Sequence, residues 1–561
     1  MREFIEMIAT VAILVLLLKI FIAEAFIIPT GSMATTLLGA HKMVVCPQCG
    51  LEFSVNCSSE REPPYDPVIG CVCPNCRYQI DLRQERHPPS CASGDRLVVG
   101  KFLYDLHLNR VEREDIVVFK YPDTPQRHNE AINYIKRLVG KPGETIAVHQ
   151  GDLYVYPDPD DPQAQPLTYP GRPRPDRPEE LWARDYMYES DAEALELFRQ
   201  GKFRRIQKSP NKILALRRLV YDNDHPAKDL AGSHFPPRWA PEEAVPTSVT
   251  FAGTPTDYRR GRQKAEEEHA WIPDGAQGFR HPARTGDLAW LRYRHLVVER
   301  SAETKLTGAA SSESQPELIT DFLGYDTWKA EGSFHGPPSP NWVGDLMLEC
   351  TVNLESAPSP PSGDQFVLEL SRGVDRFQAR WDLSTGQCTL VRITAAKEEQ
   401  LQSQLTSLKR GGNHFLRFAN VDEKLVVWVD RSLPFGGGVT YASPAQSRPT
   451  ANDLQPASIG VRGAAVRVAQ LRLWRDTYYT IQPGRGDTPL GPENWSNPDR
   501  WQALGDLPVE TFYVQPGHYL CMGDNSPESS DGRSWGLVPQ RLLLGRALVV
   551  YYPFRRIGPI E

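Results

Sequence analysis

The feature that most constrains this chain is an N-terminal apolar run that ends directly against a Pro-Thr-Gly-Ser-Met segment. Met7 to Leu18 reads Met-Ile-Ala-Thr-Val-Ala-Ile-Leu-Val-Leu-Leu-Leu; after Lys19 the apolar pattern resumes over Ile20 to Ala23 and Ala25 to Ile28. A helix crosses a bilayer with about 20 mostly apolar residues. Ile5 to Ile28 reaches that length by including Lys19 and Glu24, which can sit at an interface. The expectation is one transmembrane helix, an uncleaved anchor over residues 1–28. Ala23-Glu24-Ala25 also fits the small-x-small end of a removed signal peptide. Glu3 and Glu6 beside Arg2 make a poor positive leader, however, and no spacer separates the run from Ser32. Flanking charge says little about orientation.

A chain of 561 residues exceeds one ordinary core and implies several domains. The net charge is -7 with both signs interspersed, so no basic tract or groove-reading motif suggests nucleic acid. The 49 prolines cluster and mark loops and linkers rather than helices.

Gly94 to Val99, Asp115 to Phe119 and Ile132 to Val139 are rich in β-branched residues and bounded by turn signals, as strands are. From Tyr156 to about Pro178 the chain is dense in Pro and Asp, as linkers are. Glu179 to Gln200 has helical character. Between about Asn341 and Thr480 period-two alternation takes over: Leu346, Leu348, Cys350 and Val352; then Phe366, Leu368 and Leu370; then Leu425 to Val429 and Val466 to Trp474. Many short strands between turns imply a β-sandwich. The fold class is therefore mainly β.

Ten cysteines are present, six of them between Cys46 and Cys76. Such clustering marks a local site rather than a chain-wide framework. Cys46-Pro-Gln-Cys49 and Cys73-Pro-Asn-Cys76 are knuckle-like pairs. This insertion resembles a zinc ribbon, whose four thiolates hold tetrahedral Zn²⁺; disulfides are the alternative outside the cytoplasm. Cys57, Cys71 and Cys91 are surplus. Cys350 and Cys388 either pair or act as small buried hydrophobes.

Taken singly, Ser32 reads as a turn residue and Lys136 as a solvated charge. The combination is more specific. Pro29-Thr30-Gly31-Ser32-Met33, the strand Asp115 to Pro122, Tyr134-Ile135-Lys136-Arg137 through Glu144, and Gly523-Asp524-Asn525 through Arg533 occur in that order. Together they resemble the four boxes of the bacterial type I signal peptidases. The resemblance implies a signal-peptidase-type β catalytic domain split over 29–40, 92–155 and 505–561. Between those pieces would lie the cysteine-rich insertion 41–91, a Pro-rich linker and mixed insertion 156–325, a concanavalin- or laminin-G-like jelly roll 326–480, and a return linker 481–504.

The family's roles carry over by position. Ser32 is implied as nucleophile and Lys136 as general base, a Ser-Lys variant of the triad logic. Ser32 N–H and the Thr30 hydroxyl are implied as oxyanion donors, Ser529 as the residue orienting the lysine, and Asp531 with Arg533 as a supporting ion pair. Phe26, Ile28, Pro29, Met33, Leu37, Leu97, Val118, Tyr134 and Ile135 match the small apolar substrate pockets; for Leu97 and Val118 a core role fits equally. The chain departs from the family at Glu114, Ser526 and Pro527.

The implied activity is serine endoproteolysis of signal peptides from secretory preproteins after Ala-x-Ala sites, with no cofactor for catalysis. The implied setting is the bacterial cytoplasmic membrane, single-pass, with the catalytic domain outside and lipid as a partner. The cysteine cluster would take structural Zn, and the sandwich a further ligand or protein. Two alternatives stand: a membrane-anchored binding protein on an inactive peptidase scaffold, and a Ser-Lys protease with other membrane-surface substrates.

Overall fold

β-Branched runs become strands where they can pair on both edges, and one sheet collects them from both ends of the chain. In the computed structural model its order is Ala23–Ile27, Arg96–Gly100, Leu543–Tyr552, Ile116–Lys120, Asn133–Gly140, His518–Met522 and Val538–Pro539, with Gly558–Pro559 paired to Leu543–Tyr552. Every pairing is antiparallel. A four-stranded sheet of Arg204–Arg205, Asp152–Tyr156, Thr145–His149 and Val509–Tyr513 adjoins it. Val148, Leu153 and Phe512 of this sheet share a core with Leu520 of the first.

The structure describes residues 4, 6, 7, 10 and 23–561, except 64, 86, 102–110, 123–131, 162, 170–177, 232–234, 243–269, 276–277, 284–285, 299, 301–313, 332, 336–339, 356–362, 410 and 444–447. Most of the expected anchor therefore lies outside the described residues, among which no helix is long and apolar enough to cross a membrane. The end of the proposed span is corrected. Ala23–Ile27 is a strand, in register with Arg96–Gly100 (Phe26 opposite Leu97). Phe26 and Ile28 have a protein core to pack against, and edge pairing satisfies the backbone. In the 179–200 stretch the α-helix is confined to Ala192–Arg199, capped by the Asp191 carboxylate; short 3-10 turns precede it.

Two further sheets face each other as a sandwich. One runs Ile272–Asp274, Gly278–His281, Val466–Arg475, Leu346–Leu354, Gly412–Val421, Lys424–Val429 and Val439–Thr440, with Arg218–Asp222 also on Val466–Arg475. The other runs Trp239–Pro241, Ala289–Tyr293, Ala457–Arg462, Gln365–Arg372, Asp375–Asp382, Gln387–Ile393 and Glu398–Leu405. Period two sends Leu346, Leu348, Cys350, Val352, Phe366, Leu368 and Leu370 into the shared core. Cys350 and Cys388 are both free and buried there. In Val466–Arg475 the inward set changes from Val466 and Val468 to Leu471 and Leu473. Gln470, at φ 53, supplies the bulge that reverses the parity. Strands from residues 218–293, before the alternating stretch, thus complete both sheets.

The sandwich is tied to the four-stranded sheet through buried ions. Arg205 pairs with Asp152 at 2.9 Å, and Arg372 reaches both Asp152 and Asp345. Lys208 spans Asp422 and Asp476 at 2.9 and 2.8 Å. Stripping one partner from such a network leaves an uncompensated buried charge, so it fixes where the sandwich sits.

Candidate active site

Ser32 lies in a one-turn 3-10 helix, Gly31–Met33, immediately after the first strand leaves the sheet. Backbone bonds hold the turn: Ile28 N–H to the Asp95 carbonyl, Ala34 N–H to Gly31, and Ala40 N–H to Pro29, at 2.9 to 3.0 Å. Lys136 occupies the middle of Asn133–Gly140, opposite Val117. Alternation puts Tyr134, Lys136 and Leu138 on one face, among Phe119, Cys521 and Trp535.

The structure brings the two proposed catalytic groups together. Lys136 Nζ is 2.6 Å from Ser32 Oγ. Ser32 is 9% exposed and Lys136 4%. Burial pushes the lysine down to about 8; Asp531, Cys521 and Asp524 oppose that shift and Arg533 adds to it. An amine in that range has a minor neutral fraction near physiological pH, and that fraction can accept a proton from a hydroxyl.

The closing box wraps this pair. Arg533 pairs with Asp531 through Nε and Nη2 at 2.9 and 2.7 Å, both fully buried. Burial pushes the Asp531 carboxyl up, but Arg533, the Gly523 N–H and Ser529 together more than reverse it and hold the acid below its usual range. Asp531 also accepts from Gly523 N–H at 3.0 Å. A side chain at Gly523 would collide with Ser529 Oγ and the Ser32 carbonyl, so the loop requires glycine there. Ser529 is buried at the same spot, and its hydroxyl helps hold the Asp531 carboxyl down. Lys136 Nζ donates to Ser32 Oγ, and no bond between Lys136 and Ser529 is found among the described residues. Thr30 is half-buried at the N-cap of the Ser32 turn, and its side chain makes no capping bond.

Most of the apolar residues matched to substrate pockets converge as well, whereas Tyr134 packs on the other face of its strand, with Phe119 and Trp535. Ile28, Met33, Leu37, Leu97, Val118 and Ile135 form one cluster, with Phe26 packed against it. Met33, Leu37, Leu97 and Val118 are no more than 2% exposed, so they also serve as core. Phe26 and Tyr134 are partly exposed and Pro29 exposed. The Tyr134 ring centroid is 5.5 Å from Lys136 Nζ.

Sequence reasoning assigned no role to Arg137, Asp524 or Asn525. Arg137 and Asp524 form a buried bidentate pair at 2.7 and 2.8 Å that fastens the closing box to the lysine strand. Asn525 N–H donates to the Ser32 carbonyl at 3.0 Å. The adjacency of Arg137 to the lysine, and of Asp524 to Asn525 in the quoted boxes, was the available signal.

The cysteine-rich insertion borders this site. Its hairpin His41–Val45 with Glu52–Asn56 begins just after the nucleophile loop, and Cys57 N–H donates to the Ala40 carbonyl at 3.0 Å. Cys46, Cys49, Cys73 and Cys76 present four buried sulfurs mutually within 4.8 Å, a set that could hold a metal. Cys57 and Cys91 form a disulfide, and Cys71 is free and buried.

A model of the family described as signal peptidase, peptidase S26, matches residues 79–205 and 459–552. Signal peptidase I of Buchnera aphidicola subsp. Baizongia pistaciae is 41% identical over 77 residues, 12% of this chain and 23% of that protein. Signal peptidase I of Aquifex aeolicus is 49% identical over 41 residues, 7% of this chain and 16% of its own. That of Leptolyngbya laminosa is 38% identical over 69 residues, 12% and 33%. The matches thus span a third or less of each of these relatives. Among solved structures, a carbohydrate binding module from Bacillus subtilis aligns over 37% of this chain and 91% of its own, at 9% identity and a TM-score of 0.22, too low to carry an argument. Ser32 precedes the matched ranges, whereas Lys136 and the Gly523–Arg533 loop fall inside them. On these matches, with the boxes assembled around one buried lysine, residues 79–205 and 459–552 of the chain are similar to the signal peptidase family, peptidase S26.

Proposed function

We propose that this protein removes N-terminal signal peptides from secretory preproteins, cutting after small-x-small (Ala-x-Ala) sites with a Ser32–Lys136 dyad. The observation that carries the reading is the 2.6 Å approach of Lys136 Nζ to Ser32 Oγ in a buried setting. Neutral Lys136 takes the Ser32 proton as Oγ attacks the scissile carbonyl. Ser32 N–H and the Thr30 hydroxyl stabilise the oxyanion. The Lys136 ammonium then protonates the leaving amine. Lys136, neutral again, activates the water that hydrolyses the acyl-enzyme ester. Asp531 and Arg533 brace the lysine, and Ser529 is poised to hold it once Ser32 is acylated. Phe26, Ile28, Pro29, Met33, Leu37, Leu97, Val118, Tyr134 and Ile135 line the substrate side, which takes the peptide as an added strand.

The reaction is placed at the outer surface of the bacterial cytoplasmic membrane, on a single-pass anchor. Ile27, Val45, Phe554 and Ile557 are each more than half exposed, as residues meeting lipid would be. The Cys57–Cys91 disulfide suits an oxidising compartment. Catalysis needs no cofactor; a structural Zn²⁺ on the four cysteines is part of the proposal.

Full-length protein incubated with an Ala-x-Ala preprotein tests the reading. Cleavage should follow the second alanine, and kcat/KM should rise with pH through about 8, because the working base is the deprotonated lysine. A rate that stays flat from about pH 6 to 9 would remove the lysine from its role.

A further inference from the structure

The insertion reaches the nucleophile loop through a chain of hydrogen bonds. Asp326 lies in the turn before the strand Trp328–Ala330, which pairs with Gly70–Val72 of the cysteine-rich segment. It is 2% exposed. The Asn525 amide nitrogen donates to Asp326 Oδ1 at 2.9 Å and to the Gly31 carbonyl at 3.1 Å. Its backbone N–H holds the Ser32 carbonyl at 3.0 Å. Tyr325, the preceding residue, packs with Ala34 and Leu38. A side chain at Gly31 would come within 2.6 Å of the Tyr325 ring.

We propose that Asp326 is a positioning residue for proteolysis: it fixes the Asn525 amide, and through it the peptide plane that aims Ser32 N–H into the oxyanion hole. The proposal rests on the protease reading above. Its physical basis is the planarity of the trans peptide. The Gly31 carbonyl and Ser32 N–H belong to one plane and point in opposite directions. A donor anchored on the carbonyl therefore sets where the N–H points.

Asn525 can anchor that carbonyl only with its nitrogen, not its oxygen, turned toward Gly31. An isolated amide has little reason to prefer one orientation. Asp326 supplies the reason, because Oδ1 accepts the second N–H of the same nitrogen. Asn525 Oδ1 and Asp326 Oδ2 are buried without hydrogen-bond partners among the described residues, and both residues line one small cavity with Arg218 and Arg475. Burial, with Glu528 nearby, pushes the Asp326 carboxyl up to about 8 against the pull of Asn525, Arg218 and Arg475. A neutral acid keeps an acceptor on Oδ1, so an amide can replace it.

Asp326→Ala and Asp326→Asn separate this role from simple packing. In full-length protein, D326A should lower kcat on an Ala-x-Ala preprotein about tenfold with KM within about twofold, a partial loss of one oxyanion donor. D326N should keep at least about half of wild-type kcat, since its oxygen accepts the same bond. Hydrogen exchange gives a readout without turnover: the peptide spanning Ser32 should exchange faster in D326A than in wild type, and like wild type in D326N. Unchanged kcat and exchange in D326A, or equal losses in both variants, would overturn the proposal. Failure of the wild type to cleave would count against the protease reading alone, because the exchange arm still decides the link from Asp326 to the loop.

Discussion

Ser32→Ala should abolish signal-peptide cleavage, with kcat reduced by about 10⁴-fold or more, while the protein keeps its fold. Lys136→Ala should do the same. Members of a nucleophile–base unit act together, so each single loss costs nearly as much as losing both. Neither change should unfold the protein. Ser32→Ala gives up one hydrogen bond and a single oxygen atom, worth about 1 kcal/mol. Lys136→Ala removes a buried cation whose burial already works against its charge. Lys136→Arg is the sharper test. It keeps a positive group on the same strand, but guanidinium does not deprotonate in the accessible range, so it should be as inactive as alanine. Preprotein turnover and thermal unfolding of the three variants check this. Substantial cleavage by Ser32→Ala or Lys136→Ala would end the dyad assignment.

The residues that meet here come from opposite ends of the chain, and the sequence revealed them unevenly. Lys136 was legible because its strand carries its own signals: β-branched neighbours and a Gly-Lys-Pro-Gly stop. Ser32 was legible only as part of an ordered set, since a Gly-Ser-Met turn is common. The sandwich core was readable where period two is unbroken, as in Leu346–Leu354. The strands at 218–293 were not, being short and set among loops, and they are strands because Val466–Arg475 and Ala457–Arg462 offer them free edges. Ala23–Ile27 misled for a physical reason: an apolar run of this length suits a helix in lipid or a strand against a core, and periodicity cannot choose. Asp326 was invisible, because nothing local in Gly-Tyr-Asp-Thr tells that its carboxyl meets Asn525, 199 residues away. Such couplings are properties of the assembled packing.

One equivalent of Zn²⁺ should be found per chain, and its removal should unfold the cysteine-rich insertion. Cys46, Cys49, Cys73 and Cys76 are all free and buried. Cys46 Sγ lies 3.6 Å from Cys76 Sγ, and Cys49 Sγ 3.6 Å from Cys73 Sγ. Four sulfurs about 2.3 Å from a tetrahedral Zn²⁺ stand roughly 3.8 Å apart, whereas a disulfide brings two sulfurs to about 2.05 Å. The observed spacing fits the metal. Cys57–Cys91, in the same insertion, is bonded, so the two kinds of cysteine are sorted by position. The insertion needs such a cross-link because its core is small: beyond the cysteines it rests on Val44, Phe53, Val55, Val68, Tyr78, Ile80 and Leu82. Structural zinc binding is worth about 10–16 kcal/mol in small metal domains, more than so few side chains could replace. Cys73→Ser should therefore lose the metal and open the segment between Cys46 and Cys76 to proteases. Strong chelators should act likewise on the native protein. Because Cys57 N–H holds the Ala40 carbonyl just past the nucleophile turn, cleavage should fall along with it. Metal analysis, limited proteolysis and thiol mapping of non-reduced protein check this; a protein without zinc in which these four cysteines are disulfide-bonded would reject the metal site and leave the Ser32–Lys136 chemistry standing.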